Sequence, residues 1–318
     1  MAHRVARPGT ISGMSIGHAE TPDHSSGVTA VLFDAPAPMV VDVRGGASAT
    51  YDTASLSLEA TFGRRWAIFF SGGSLYGLDA ARGIRTRILE TGGGHRAFSN
   101  PNVVVPISGA ALFDLPRQKA AIPDYLPLGY EAARTATRGR VTVGRVGAGA
   151  GATVGKYLGR HRSMAGGVGF ASGRVGSRGR LAFLVVVNSV GAVRDPTSGE
   201  WIAGAKGPTG RIFPPGSVRA SAAWTRGTTL GLVVTDLALY RPELARIAAI
   251  THAGIASAIT PYHSSTDGDV LFVATTEQID PGRRDLRPGE LADQLGHRAA
   301  ELAVTAVIDA VRPAHGRD

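Results

Sequence analysis

Three short segments of this sequence carry side chains that could do chemistry together. Gly227-Thr228-Thr229 stands where a stretch rich in Gly, Pro and Ser (196–226) runs into an apolar segment (230–234), so a hydroxyl lies at the junction of loose chain and buried strand. Asn188 ends the strongly apolar run 181–187. An amide placed there can donate to an oxyanion or simply cap the strand. Asp267-Gly268-Asp269 sets two carboxylates one residue apart just before the run 270–274, and in extended chain they point the same way. Calcium loops also use closely spaced acids, but the remainder of that pattern is missing, and a plain turn explains the pair equally well. Lysine occurs only at 119, 156 and 206, and Lys156 lies at the end of the glycine-rich GAGAGATVGK (147–156).

Other chemistries are excluded by what the motifs lack. A Walker A loop needs a hydroxyl directly after Gly-Lys, to reach magnesium, but Tyr157 follows Lys156 and Ala150 holds the place of the first glycine. The Gly147–Gly151 alternation matches a dinucleotide turn only loosely, without a downstream acid. No pair of the nine histidines has zinc-ligand spacing; His252 falls in a helical pattern and His263 before a polar turn, where structural hydrogen bonding is the expected role. There is no G-x-S-x-G elbow, and the absence of cysteine removes disulfides, thiolate nucleophiles and cysteine zinc sites together. No metal and no cofactor are expected.

The net charge of +9 would suit nucleic acid if the basic residues clustered, but they are dispersed, and in the densest group Arg283, Arg284 and Arg287 are interrupted by Asp285. With only 6% aromatic residues, a base-stacking surface is unsupported as well, so no nucleic-acid partner is expected. No apolar stretch approaches the roughly 20 residues of a membrane helix. The opening MAHRVARPGT has no apolar segment behind its basic residues, so the expected location is cytoplasmic.

The elements that must position these residues follow from hydrophobic patterning. Runs at 28–33, 66–70, 181–187, 230–234 and 270–274 are of strand length and continuously apolar, as in strands covered on both faces. Between them, helical patterns occupy 75–89, a segment opened by Pro242, and the C-terminal stretch from Pro288. The expectation is a layered α/β protein. Residues 196–226 read as a long exposed connection.

Eight segments in order, GMSIGH (13–18), VDVRGG (41–46), SGGSLYGLDA (71–80), VPISGAALFD (105–114), GAGAGATVGK (147–156), VVVNSVGAVRDP (185–196), 228–236 and HSSTDGDVLF (263–272), resemble the L-aminopeptidase/D-esterase, β-peptidyl aminopeptidase and nylon-oligomer hydrolase family. The resemblance implies a four-layer αββα sandwich, of the type shared with ornithine acetyltransferases. It also implies self-cleavage between Gly227 and Thr228, giving chains 1–227 and 228–318 within one domain, with Thr228 as N-terminal nucleophile. By position Tyr76, Lys156 and Asn188 match residues around that nucleophile, and Asp267 and Asp269 match its acidic pair. Small peptides, amides or esters are the implied substrates, and a tetramer of cleaved pairs the implied assembly. Several relatives have Asn where this chain has Gly227. The acidic pair is Asp and Asp, as in the nylon-oligomer hydrolases, rather than the Ser and Glu of the β-peptide enzymes.

The chemistry is consistent with that resemblance. Glycine at 227 permits the dihedrals a strained scissile bond needs. A freed α-amine on Thr228 titrates near ~7.7–8.0 in reference peptides and can serve its own hydroxyl as base. Lys156 could orient or deprotonate that hydroxyl and Asn188 could hold the oxyanion. Two close carboxylates do not both ionise freely, so one is expected to hold a proton near neutrality. The resulting expectation is an aminopeptidase or amidase; an endo-acting amidase and an acyltransferase using the same acyl-enzyme are the alternatives.

Overall fold

A computed structural model describes residues 4–6, 11–96, 101–115, 121–176, 179–216, 226–282 and 287–312. The apolar runs become the strands of one mixed sheet of nine: β1 (Met14–Glu20), β2 (Gly27–Val43), β3 (Ala49–Tyr51), β4 (Arg64–Ser71), β5 (Ile107–Ala111), β6 (Gly167–Val175), β7 (Gly179–Asn188), β8 (Thr228–Leu237) and β9 (Val270–Ile279). Their order is β6-β7-β8-β9-β2-β4-β5-β3, with β1 on β2. Among the described strands only β8–β9 and β4–β5 pair in parallel, each across a helical connection. The long strand β2 joins the halves: its first part pairs with β1 and β4, and its last residues, Met39 to Val43, pair with β9.

Burial on both faces is the reason the strands lack polar alternation. In β8 all ten residues are buried, and in β7 all but Arg180. One face of β7–β9, including Phe183, Val185, Val233 and Leu271, packs on helices α3 (Arg241–Ala258) and α4 (Glu290–Val311). The opposite face, with Leu184, Leu232 and Phe272, meets Val31, Ile68 and Phe70 of β2 and β4. The far face of β2, β4 and β5 packs on α1 (Ala80–Glu90) and α2 (Tyr125–Arg134). No helix among the described residues is long and apolar enough to cross a membrane.

Three local outcomes differ from the sequence expectation. Helix α2 went unread because Pro127 and Gly129 both disfavour helix interiors. Yet Asp124 caps its start, accepting the Leu126 N–H at 3.1 Å, and Gly129 lets α2 approach α1, where a Cβ would lie 2.1 Å from Ala80 O. The 75–89 pattern divides into a 3-10 turn (Ser74–Asp79) and α1; Leu75 and Leu89 face outward, while Ile84 and Ile88 are buried. The 196–226 stretch is not a bare connection. Trp201–Ala203 pairs with Ala192–Arg194 and Ala205–Lys206 with Ile212–Phe213, and Trp201 and Ala205 pack with Tyr157 and Val190. Residues 217–225 of that stretch, Lys119, and Arg283, Arg284 and Asp285 lie outside the described residues.

Ile247 is fully buried between α3 and the β7–β9 face. Ile247→Ala is expected to cost about 2–5 kcal/mol of unfolding free energy, measured by urea titration with an unchanged slope. A loss below about 1 kcal/mol would mean that this interface is not closely packed.

Candidate active site

The polar segments singled out in the sequence meet at one end of β7, β8 and β9. The β7–β8 register sets Asn188 directly opposite Thr228. Beside them, Gly227 and Asp267 form a parallel bridge, so that residues 267–269 run alongside 227–229. Gly227 N–H donates to Thr266 O at 3.3 Å, Gly268 N–H donates to Gly227 O at 3.0 Å, and Thr229 N–H donates to Asp269 Oδ1 at 2.7 Å. The Thr228 hydroxyl also donates to Gly227 O, at 2.5 Å. Thr228, Asn188, Lys156, Asp267 and Asp269 are each at most 3% exposed.

Lys156 enters from the glycine-rich segment. Gly155, in a left-handed conformation (φ 78°), passes so close to Gly204 that a Cβ would lie 2.1 Å from its carbonyl carbon. The Lys156 ammonium then donates to Asn188 O (2.6 Å) and Asn188 Oδ1 (2.7 Å). Burial pulls its pKa down to about 7, opposed by the charges of Asp267 and Asp114. Asn188 Oδ1 also accepts Thr153 N–H, and Nδ2 donates to Phe113 O at 3.2 Å, which fixes the amide orientation. Lys206, by contrast, is exposed.

The two aspartates point to the same region but to different partners. Asp267 accepts Val190 N–H on Oδ1 and both Ser264 N–H and Oγ–H on Oδ2. Burial, and then the neighbouring Asp269 charge, raise its pKa, against the lowering effect of those bonds. Asp269 Oδ2 accepts the His263 backbone N–H at 3.0 Å and lies 3.1 Å from Nδ1 of its ring. His263 therefore serves the structural hydrogen-bonding role expected of it, at the site itself. Its ring lies 3.7 Å from that of Tyr262 and 4.8 Å from that of His252, whose pKa burial holds down near 4.

The glycines of VDVRGG (41–46) shape the site from a distant part of the chain. Arg44 and Gly45 N–H groups both donate to Asp269 O, and Ala47 N–H donates to Asp267 O. A Cβ on Gly45 would lie 2.1 Å from Asp269 N and one on Gly46 2.7 Å from Ser265 O, so only glycine admits the 264–269 turn. The signal was present as a Gly-Gly pair, but its partner is over 200 residues away.

Tyr76 is the residue not gathered in. It sits 53% exposed on the Ser74–Asp79 turn, and no hydrogen bond among the described residues joins it to Thr228, Lys156 or Asn188. The turn is nonetheless linked to the site through residues 112–114: Leu112 O accepts Ser74 N–H, Phe113 O accepts from Asn188, and Asp114 Oδ1 accepts Gly73 N–H. Arg226 lies over the Phe113 ring at 5.5 Å, docking the chain before Gly227 on the same segment. No cluster of three or more His, Asp or Glu residues suited to a metal occurs among the described residues.

His263→Ala removes the ring contact to a buried carboxylate and is expected to cost about 1–3 kcal/mol in urea unfolding. A loss under about 0.5 kcal/mol would mean that the ring does not hold Asp269.

This geometry belongs with a known group of proteins. The family model described as Peptidase family S58 matches residues 10–317. A 6-aminohexanoate-oligomer endohydrolase of Kocuria sp. (strain KY2) is 30% identical over 312 residues, covering 94% of this chain and 84% of that protein. An uncharacterized aminopeptidase of Mycobacterium bovis is 34% identical over 289 residues, covering 85% and 81%. The Burkholderia sp. beta-aminopeptidase structure superposes with a TM-score of 0.66 at 17% identity, over 98% of this chain and 88% of that one. The L-aminopeptidase D-Ala-esterase/amidase of Ochrobactrum anthropi, described as a variant of the Ntn hydrolase fold, gives 0.64 at 19% identity, over 94% and 84%. The chain, a mixed α/β protein built on a large sheet, therefore belongs to peptidase family S58 and is a hydrolase.

Proposed function

We propose that the protein cleaves itself between Gly227 and Thr228 and then uses Thr228 to form an acyl-enzyme with amide or ester substrates. The observation that carries this reading is the contact between the Thr228 hydroxyl and Gly227 O at 2.5 Å, on a carbonyl that also accepts Gly268 N–H. Lys156 is the proposed proton acceptor. A neutral amine has two N–H donors, which Asn188 O and Oδ1 would take, leaving the lone pair available. Asn188 carries a second Nδ2–H beyond the one given to Phe113 O, which supports a role as oxyanion donor during turnover. Asp267, its pKa raised by burial and by the neighbouring Asp269 charge, is suited to hold a proton. Tyr76 is proposed to meet substrate from its exposed turn. The three apolar interfaces support an αββα layering, with α3 and α4 outside one half of the sheet and α1 and α2 outside the other.

Self-cleavage is expected to give fragments 1–227 and 228–318 by intact mass. Thr228→Ala should remain whole and Thr228→Ser should still cleave, since the hydroxyl is retained. Lys156 is protonated below a pKa of about 7 and free above it, so the cleavage rate should rise as pH is raised through about 7 and then level off. No α-amine exists at 228 before cleavage, so this rise belongs to side chains of the uncleaved chain. A chain that stays whole with Thr228 unmodified after long incubation would overturn the mechanism.

The proposed substrates are amino-terminal: short peptides, amino-acid amides or esters. One observation favours a second reading, an endo-acting amidase. All four oxygens of Asp267 and Asp269 already accept hydrogen bonds from the protein, so a substrate ammonium would have to share them. Hydrolysis of a free-amine amino-acid amide and of its N-acetylated counterpart separates the two. Exo-action requires that acetylation abolish activity, and equal rates would establish endo-action.

A further inference from the structure

We infer that the backbone N–H of Gly268 is the oxyanion donor for self-cleavage. The inference rests on the proposed attack of Thr228 on Gly227 and names the group that makes that attack feasible. Three observations carry it. First, Gly268 N–H already donates at 3.0 Å to Gly227 O, the atom on which the charge would develop. Second, the bonds of the Asn188 amide lead elsewhere: Oδ1 accepts from Lys156 and Thr153, one Nδ2–H goes to Phe113 O, and among the described residues none joins the amide to Gly227 O. Third, neither partner in the Gly268–Gly227 bond has room to turn. A Cβ on Gly227 would lie 2.3 Å from Asp267 Oδ1 and 2.4 Å from Val190 N, so the chain at Gly227 is closely packed against both segments. The carbonyls flanking Gly268 are bonded by Ala47 N–H, at Asp267 O, and by Arg44 and Gly45 N–H, at Asp269 O. A donor fixed in this way needs no reorganisation as charge develops.

The reaction balances with water as the one added reactant. Thr228 Oγ1 bonds to the Gly227 carbonyl carbon while its proton passes to the buried base, proposed as Lys156. The carbonyl electron pair moves onto Gly227 O, where Gly268 N–H holds it. The carbonyl then re-forms, the Gly227–Thr228 C–N bond breaks, and the departing nitrogen takes the proton back as an amine. Water hydrolyses the resulting ester, giving the Gly227 carboxylate and restoring the Thr228 hydroxyl. Glycine at 268 also keeps the nucleophile in line, since a Cβ there would lie 3.0 Å from Thr228 Oγ1.

A backbone donor is removed by replacing the amide with an ester. The full chain is made by in vitro translation with glycolic acid at position 268 through a suppressor tRNA, and its conversion is followed by intact mass. The same replacement at Gly199, whose N–H donates to Asp195 O at 2.8 Å in an exposed turn, is the control. The expected result is self-cleavage slowed about 100-fold or more at 268, with the control at the wild-type rate. Gly45→Ala is the second variant, in case the ester weakens folding: its Cβ would lie 2.7 Å from Gly268 C, so it displaces the donor without deleting it, and at least tenfold slowing is expected. Near-UV circular dichroism identifies which variants are folded, and a folded variant of either kind cleaving at the wild-type rate overturns the inference. A wild-type chain that never cleaves overturns the self-cleavage reading instead, a distinguishable outcome.

Discussion

Residues 227–229 and 267–269 lie side by side in parallel, three residues against three, and the geometry around Thr228 depends on that contact. Asp267 Oδ1 fills the space where a side chain on Gly227 would go, Gly268 N–H holds the Gly227 carbonyl, and Asp269 Oδ1 holds Thr229 N–H. The contact sits at the ends of β8 and β9, which pair in parallel from Leu230 and Val270 onward. The short polar ladder thus continues the sheet's own register past the point where its apolar strands end. An unpaired polar group buried at such a place would cost about 1–3 kcal/mol. The described network leaves few: the Thr229 hydroxyl is one, beside Thr228, and Nε2 of both His252 and His263 are two more behind Asp269.

Burial that stabilises the fold also sets the electrostatics of the site. The β7–β9 strands are covered on both faces by apolar side chains, so the charges at their ends lie in a medium that resists ionisation. Lys156 is brought down to about 7 and Asp267 is raised, both chiefly by desolvation. Each group opposes the other's shift, because the carboxylate favours the ammonium and the ammonium favours the carboxylate. The two shifts bring the affinities of the amine and the carboxylate for a proton closer together than they are in water, which favours acid–base chemistry near neutral pH.

How much of this was legible in the sequence depended on the range of the interactions. The five continuous apolar runs announced buried strands because coverage on both faces leaves a local compositional trace, and Pro242 and Pro288 marked helix starts locally. Asn188, Thr228, Lys156 and the two aspartates stood out as polar residues at the edges of apolar or glycine-rich segments, and the structure brings these five to one place. The rest was written in contacts between distant segments. Gly45 and Gly46 matter because a turn more than 200 residues later passes against them, and Gly268 acts through its backbone, which no side-chain motif records. The hydrogen-bonding role of His263 was legible but not its partner, Asp269, and α2 was hidden because its Gly129 serves packing on Ala80 rather than helix propensity.

On the proposed mechanism, residues 267–269 hold the Gly227–Thr228 peptide unit ready for attack before any cleavage occurs. A crystal structure of the uncleaved Thr228→Ala protein tests it most directly, because it preserves the backbone while removing the nucleophile. The expected structure has Gly227 O about 3 Å from Gly268 N, as an ordinary N–H to O hydrogen bond requires, and the Asp269 carboxylate on Thr229 N–H. A Gly227 carbonyl turned away from Gly268, or Asp269 withdrawn from Thr229, would contradict the account.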